Sequence, residues 1–182
     1  VDVPSWWHYT GALGPISAAL LVSLTSAGRR GVVYLARQYS PSRVKWPWLA
    51  FAIASPLLLL TFGFTAERLS NGAWPSLENV CQASNLPSMA LPLSLLVQLL
   101  SFGVGEETGW RGFVLPRLQS DHTALRASSL LAVGWGLWHI PSFFEKAPGM
   151  SMAPAQLLGW AAGIWMAAIF LTWLYNSADG SL

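Results

Sequence analysis

Two adjacent carboxylates and an arginine, Glu106, Glu107 and Arg111, stand inside an otherwise apolar stretch of this sequence. Ionisable side chains at membrane depth cost about 2.5 to 3.5 kcal/mol each on insertion scales, and they usually mark a functional site. On a helix Glu107 and Arg111 lie four residues apart with the acid first, which favours an ion pair, whereas Glu106 points about 100° away. We therefore predict that Glu107 and Arg111 are structural and that Glu106 is free to react.

A histidine on the next predicted helix has the right depth to join Glu106. Glu106 lies about 12 residues before the polar turn near Ser120 and His139 lies about 16 residues after it, which puts both roughly 18 to 24 Å from the turn. A carboxylate and an imidazole at one level suit a base and acid pair, or two metal ligands. A catalytic zinc normally takes three protein ligands, and these residues supply two. The sequence therefore leaves open whether a divalent metal such as zinc takes part.

The composition predicts an all-α integral membrane protein of one domain. Of the 182 residues 53% are hydrophobic and only 10% are charged, whereas soluble domains have about 25% charged residues. The net charge of +2 does not indicate a nucleic-acid partner, because the basic residues fall between apolar runs and form no basic face. A single cysteine, Cys81, excludes an intramolecular disulfide. The expected partner is the lipid bilayer.

Five apolar runs predict a polytopic bundle of about five transmembrane helices. They comprise residues 11–27, 49–64, 89 to about 118, 124–140 (stopped by Pro141) and about 154–175. The third run carries the two glutamates and four glycines that would let other helices approach closely, namely Gly103, Gly105, Gly109 and Gly112.

A group of basic residues follows the first run and sets the expected orientation. It contains Arg29, Arg30, Arg37, Arg43 and Lys45 without an acid. We predict that these residues form one cytoplasmic loop, because an excess of Lys and Arg beside a span marks that side. Alternating the spans puts residues 67–88 and 142–153 in outer loops.

Two motifs resemble those of a known family. Residues 106–111, Glu-Glu-Thr-Gly-Trp-Arg, resemble the EExxxR motif of the CPBP intramembrane proteases. This family, also called Abi, contains CAAX proteases and bacteriocin-processing enzymes, among them the type II CAAX prenyl endopeptidase. Residues 135–139, Trp-Gly-Leu-Trp-His, are similar to the family's second motif, FxxxH, with Trp135 in place of the usual Phe.

The resemblance implies an intramembrane endopeptidase that cleaves prenylated CAAX tails or membrane and leader peptides. Glu106 would activate a water, and His139 would orient or protonate the reacting groups. Glu107 with Arg111 would brace the helix. Whether the enzyme is a metalloprotease stays open, with Glu106 and His139 as the candidate ligands. The expected location is the plasma membrane of a prokaryote or the endoplasmic reticulum of a eukaryote.

The family's third motif, HxxxN, has no match before Leu182. We therefore expect residues 1–182 to be a single protease-like domain, a fragment that lacks the last helix and is inactive by itself. Two other functions stay open at this point. One is a non-catalytic bacteriocin self-immunity protein on the same scaffold, and the other is a small transporter that uses the glutamates as a relay.

Overall fold

The computed structural model describes residues 7–40, 44–75, 91–145 and 153–182, and this part of the chain is helical without a strand. Its α-helices are α1 (Trp7–Gly11), α2 (Gly14–Arg37), α3 (Trp46–Asn71), α4 (Leu91–Gln98), α5 (Leu115–Asp121), α6 (Ala124–Glu145) and α7 (Pro154–Ser177). Between α4 and α5 the chain stays helical as two π-helical segments, Leu99–Glu106 and Thr108–Val114. We call the continuous run of residues 91–121 the glutamate helix. The all-α prediction is confirmed.

By length and composition, three helical stretches of the described chain could cross a membrane, namely Tyr9–Arg37, Trp46–Asn71 and Pro154–Ser177. The first of these contains a sharp bend at Gly28, so its 29 residues do not form one straight helix. The three stretches confirm a membrane-embedded helical protein. The glutamate helix and α6, which carry the candidate site, are not among these three, so the count of five spans stays a prediction.

Helix α2 folds back on itself at Gly28. This residue has φ 58° and ψ −147°, a backbone conformation that is essentially restricted to glycine. Across the bend, a Cβ added to Gly31 would lie only 2.6 Å from the carbonyl oxygen of Ser23, although eight residues of straight helix would rise about 12 Å. The two legs of α2, residues 14–27 and 29–37, therefore pack against each other as a hairpin.

Several predicted boundaries are wrong because helices continue past their expected ends. The predicted basic loop is in part the second leg of α2, which contains Arg29, Arg30 and Arg37. Helix α6 passes through Pro141 to Glu145, and α3 continues to Asn71, so both predicted outer loops begin later than expected. Proline is tolerated inside membrane helices, since neighbouring groups satisfy the freed carbonyl. Arg43 and residues 76–90 and 146–152 lie outside the described residues.

Glycines bring the start of α2 against the backbone of the glutamate helix. A Cβ on Gly105 would lie 2.7 Å from the carbonyl oxygen of Ala12, and a Cβ on Gly109 would lie 2.7 Å from that of Pro15. No larger residue fits at this separation, which confirms the close approach predicted from the glycines. Gly103 differs, because a Cβ there would meet only Leu99 of its own helix.

The main core lies where the glutamate helix meets α6 and α7. Its buried members are Leu115, Ala127, Leu131, Ala132, Ala168 and Tyr175. Trp110 and Trp135 pack against this cluster from its edge. The core thus fixes the glutamate helix against α6, the two elements that carry the candidate catalytic residues.

Candidate active site

Glu106 is buried and bonded to a tryptophan of another helix. Its side chain is only 6% exposed, and its Oε2 accepts a hydrogen bond of 2.9 Å from Nε1 of Trp135 on α6. Glu106, which we predicted to be free to react, is therefore held at one of its two carboxylate oxygens. Periodicity within one helix could not reveal this bond, because Trp135 is 29 positions away. Oε1 of Glu106 has no hydrogen-bond partner among the described residues, so one carboxylate oxygen is anchored and the other is available.

Glu107 and Arg111 form the predicted ion pair, in which Nη1 of Arg111 donates to Oε1 of Glu107 at 2.7 Å. The arginine side chain is 1% exposed and the glutamate side chain 25% exposed, so the charge of Arg111 is the more deeply buried. The guanidinium also lies over the ring of Trp135, 4.4 Å from its centre. Trp135 consequently contacts both Arg111 and Glu106.

His139 stands one turn after Trp135 and is half-buried. Its Nδ1 is 2.7 Å from the carbonyl oxygen of Trp135. A carbonyl only accepts, so Nδ1 donates the proton, and in the neutral ring Nε2 keeps its lone pair for another partner. Within the described chain Glu106 and His139 share no direct hydrogen bond; Trp135 joins them, through its ring nitrogen and its backbone carbonyl.

The local backbone of the glutamate helix changes type at the motif. Glu106 ends the first π-helical segment, and Thr108 begins the second. A π-helix bonds each residue to the fifth one along and usually occurs as short bulges, frequently at functional sites. Glu106 and Glu107 therefore lie at the junction of two wide helical segments, an arrangement that the assumption of a regular α-helix missed.

Gln38, which no sequence pattern singles out, connects the end of α2 to the glutamate helix and to the C-terminal residues. Its buried amide donates to the carbonyl of Gly112 at 3.0 Å and accepts from the hydroxyl of Tyr175 at 2.9 Å. Its backbone carbonyl accepts from Ser181 Oγ at 3.0 Å and from the Leu182 amide at 2.8 Å. These partners are 74 to 144 positions away, so no sequence pattern near Gln38 could predict them.

Tyr39 makes a second connection between α2 and the motif. Its hydroxyl bonds to the hydroxyl of Thr108 and lies 3.3 Å from the carbonyl oxygen of Val104. Thr108 is buried and also donates to that carbonyl at 2.5 Å. Since Thr108 follows Glu107 directly, Tyr39 helps to fix the backbone on which both glutamates stand.

An apolar groove of about 420 Å³ runs between α6 and α7 beside the histidine. On α6 it is lined by Gly136, Leu137 and Ile140, and on α7 by Trp160 and Ile164 among others. The ring of Trp160 is 6.5 Å from that of His139, centre to centre. Trp160, one wall of the groove, therefore lies between the groove and His139.

A family model described as type II CAAX prenyl endopeptidase Rce1-like matches residues 88–182, which include both motifs. This chain belongs to that family. Membership in the Rce1-like family confirms the resemblance to CAAX proteases.

A 50-residue stretch is 42% identical to CAAX prenyl protease 2 of Methanococcus maripaludis. The stretch covers 28% of this chain and 18% of that relative. No solved structure matches the chain.

The candidate metal ligands fall short of a complete catalytic zinc site in the part of this Rce1-like chain that the structure describes. No group of three His, Cys, Asp or Glu side chains comes together there. Glu106 and His139 supply two donors, whereas a catalytic zinc usually takes three protein ligands and a water.

Proposed function

We propose that this Rce1-like protein is an intramembrane endopeptidase that cleaves the tails of prenylated proteins, with Glu106 as the base that activates water. The observation that carries the proposal is the buried Glu106 carboxylate, anchored at one oxygen by Trp135 and open at the other. A general base must hold one geometry and keep an oxygen within hydrogen-bond reach of the proton that it accepts. Family membership supplies the reaction class.

In the proposed first step, Oε1 of Glu106 takes a proton from water as the water oxygen bonds to the scissile carbonyl carbon. The carbonyl electrons move to its oxygen and give a tetrahedral oxyanion. In the second step the oxyanion collapses, the C–N bond breaks, and Glu106 passes its proton to the leaving nitrogen. The products are a carboxylic acid and an amine, and Glu106 returns to its charged form.

His139 is assigned to orienting the water, and Arg111 to the support of the site. With Nδ1 held by the Trp135 carbonyl, Nε2 of the neutral ring can accept a hydrogen bond from the attacking water. Arg111 is engaged by Glu107 and by the Trp135 ring, so it fixes the positions of the helix and of Trp135.

The groove beside His139 is proposed to hold the prenyl chain. Its volume of about 420 Å³ lies within the usual range for small-molecule sites, about 300 to 1,000 Å³. Its lining is almost wholly apolar, as a branched hydrocarbon requires. A prenyl group in the groove would keep the attached peptide close to His139.

Cleavage of a fluorogenic prenylated CAAX peptide by the protein in liposomes tests the role of Glu106. We expect Glu106→Gln to lower the rate by a factor of about 10² to 10⁴, the usual contribution of a general base. Glu67→Gln, an exposed acid on α3, is the matched control and should leave the rate unchanged. The assay uses the protein extended beyond Leu182, because residues 1–182 are expected to be inactive by themselves. Equal rates for wild type and Glu106→Gln would refute the assignment, and an extended wild-type protein without turnover would favour the non-catalytic self-immunity role.

The groove is tested separately by filling it. A Cβ on Gly136 meets Trp160 at 3.6 Å, which is ordinary contact, but the longer side chain of Gly136→Leu would occupy the space. We expect this variant to raise KM for the prenylated peptide and to leave cleavage of the same peptide without a prenyl group unchanged. Gly159→Leu on α7, where nothing lies within 4 Å of the added Cβ, is the control. Equal losses on both peptides would mean that the groove does not hold the prenyl chain.

A further inference from the structure

The second leg of α2 presents a basic face that the proposed catalysis does not use. Arg30, Val33, Tyr34 and Arg37 are spaced at i, i+3, i+4 and i+7, so they share one side of the helix, with Arg29 beside them. All five side chains are exposed and line one groove of about 690 Å³. Within the described residues no acid forms an ion pair with these arginines, so the groove carries three uncompensated positive charges.

The reversal at Gly28 determines where this face lies. It lays the second leg beside the first, so that Arg29 and Arg30 stand next to the bend and Arg37 stands at the other end of the second leg. Arginine side chains are costly in the hydrocarbon region and extend towards the interface. Tyr34, half-exposed between two arginines, is typical of the headgroup level. Arginine and tyrosine side chains together favour a position of the groove at the level of the lipid phosphates.

We propose that this groove binds the phosphate-bearing headgroup of an anionic phospholipid. A guanidinium matches a phosphate in both charge and shape, because it can donate two parallel hydrogen bonds to two phosphate oxygens. Basic clusters beside a membrane span attract anionic lipids by about 1 kcal/mol per Lys or Arg. A lipid with net negative charge is favoured over a zwitterionic one, since the groove itself contains no negative group.

Binding at this groove stabilises the folded protein as well as holding a lipid. The second leg ends at buried Gln38, which bonds to the glutamate helix and to the end of the chain. A ligand that binds the folded state alone raises its stability by mass action. A headgroup that holds Arg30 and Arg37 together should therefore raise the melting temperature of the whole protein.

In the test, the purified protein in neutral detergent is titrated with phosphatidylglycerol and, separately, with phosphatidylcholine. The melting temperature is followed during each titration, and the lipid retained by the protein is measured by native mass spectrometry. We expect phosphatidylglycerol alone to stabilise the wild type. The double variant Arg30→Gln/Arg37→Gln should bind it about 30-fold more weakly, at about 1 kcal/mol per arginine. Arg117→Gln/Arg126→Gln makes the same change in net charge at exposed positions elsewhere and should bind as the wild type does.

Three results would overturn the proposal. Unchanged binding by the groove variant would show that another surface holds the lipid. An equal loss in the control variant would show that only net charge matters. An equal rise in melting temperature with inorganic phosphate or glycerol phosphate at the same concentration would identify a free anion as the occupant in place of a lipid. None of these results depends on proteolytic activity, so the lipid site can fail without the proposed protease function failing.

Discussion

The glutamate helix and α3 differ in which side chains they bury. Helix α3 is apolar but has no buried residue, whereas the glutamate helix buries charged side chains. Helix α3 has the most apolar window of the three candidate spans, with a mean hydropathy of 1.9, yet none of its residues is buried. The glutamate helix has three charged side chains within six residues, and two of them, Glu106 and Arg111, are buried. Lipid tails surround apolar side chains as favourably as a protein core does. The contacts between helices are therefore made mainly by small and polar residues.

The two regions also differ in how they contact the rest of the protein. Helix α3 meets α7 through aromatic side chains, with the rings of Trp48 and Phe51 at 5.3 and 5.5 Å from that of Trp173. The glutamate helix meets α2 backbone to backbone at Gly105 and Gly109. Similar substitutions in the two regions should therefore have very different effects on the free energy of unfolding.

The largest expected difference in stability is between substitutions of two acids, Glu107 on the glutamate helix and Glu67 on α3. Glu107→Gln removes the ion-pair partner of a buried arginine, and such an uncompensated charge costs about 3 to 5 kcal/mol. We expect about 3 kcal/mol, since Trp135 and the nearby Glu106 still face Arg111. Glu67→Gln on α3 should cost nothing measurable. Melting temperatures in detergent would decide, and equal values for the two variants would contradict the distinction between the regions.

Added methyl groups test the close approach of the backbones. Gly109→Ala puts a Cβ within 2.7 Å of the Pro15 carbonyl oxygen, so the helices must separate. Overpacking of this kind typically costs about 1 to 3 kcal/mol, and we expect a value of about 2. Gly63→Ala on α3 adds the same methyl where nothing lies within 4 Å. That control should be neutral or slightly stabilising, because alanine favours a helix more than glycine does; a matched loss at both sites would disprove backbone contact at Gly109.

Replacing a leucine with alanine should give a smaller difference in the free energy of unfolding between the two regions. Leu115 is fully buried in the core, whereas Leu59 is 68% exposed on α3. Leu→Ala in a water-soluble core costs about 2 to 5 kcal/mol, which combines a transfer term with a cavity term. In a membrane the transfer term is reduced, because the alternative environment is also apolar, so we expect about 1.5 kcal/mol for Leu115→Ala. Leu59→Ala should change stability by less than about 0.5 kcal/mol, and a larger loss there would show that Leu59 packs against protein.

The smallest expected effect is at the bond between Trp135 and Glu106. Trp135→Phe keeps an aromatic ring beside Arg111 but removes the N–H that Glu106 accepts, together with the second ring of the indole. We expect kcat to fall about tenfold with KM unchanged, because a hydrogen bond to a charged group is worth about 1.5 to 3 kcal/mol and the buried position of Glu106 still restrains the carboxylate. A rise in KM alone would indicate that Trp135 contacts substrate and does not position Glu106.

The sequence by itself determined the features that depend on composition and on neighbours along one helix. Low charge content predicted a membrane protein, and the 3.6-residue period predicted the pair of Glu107 and Arg111. The glycines of the third run predicted a close approach of other helices, which the structure has at Gly105 and Gly109. Each of these follows from local geometry, since residues four apart on a helix meet wherever that helix lies.

Only the tertiary structure decided the partners of Glu106, the role of Gln38 and the path of α2. The bond from Trp135 depends on the relative depth and rotation of two helices, which the core around Leu115 and Leu131 sets. Gln38 finds its partners only after α2 has reversed at Gly28. A hydrogen bond between separate helices is fixed by how whole elements pack, and a pattern of residues within one helix carries no information about that packing.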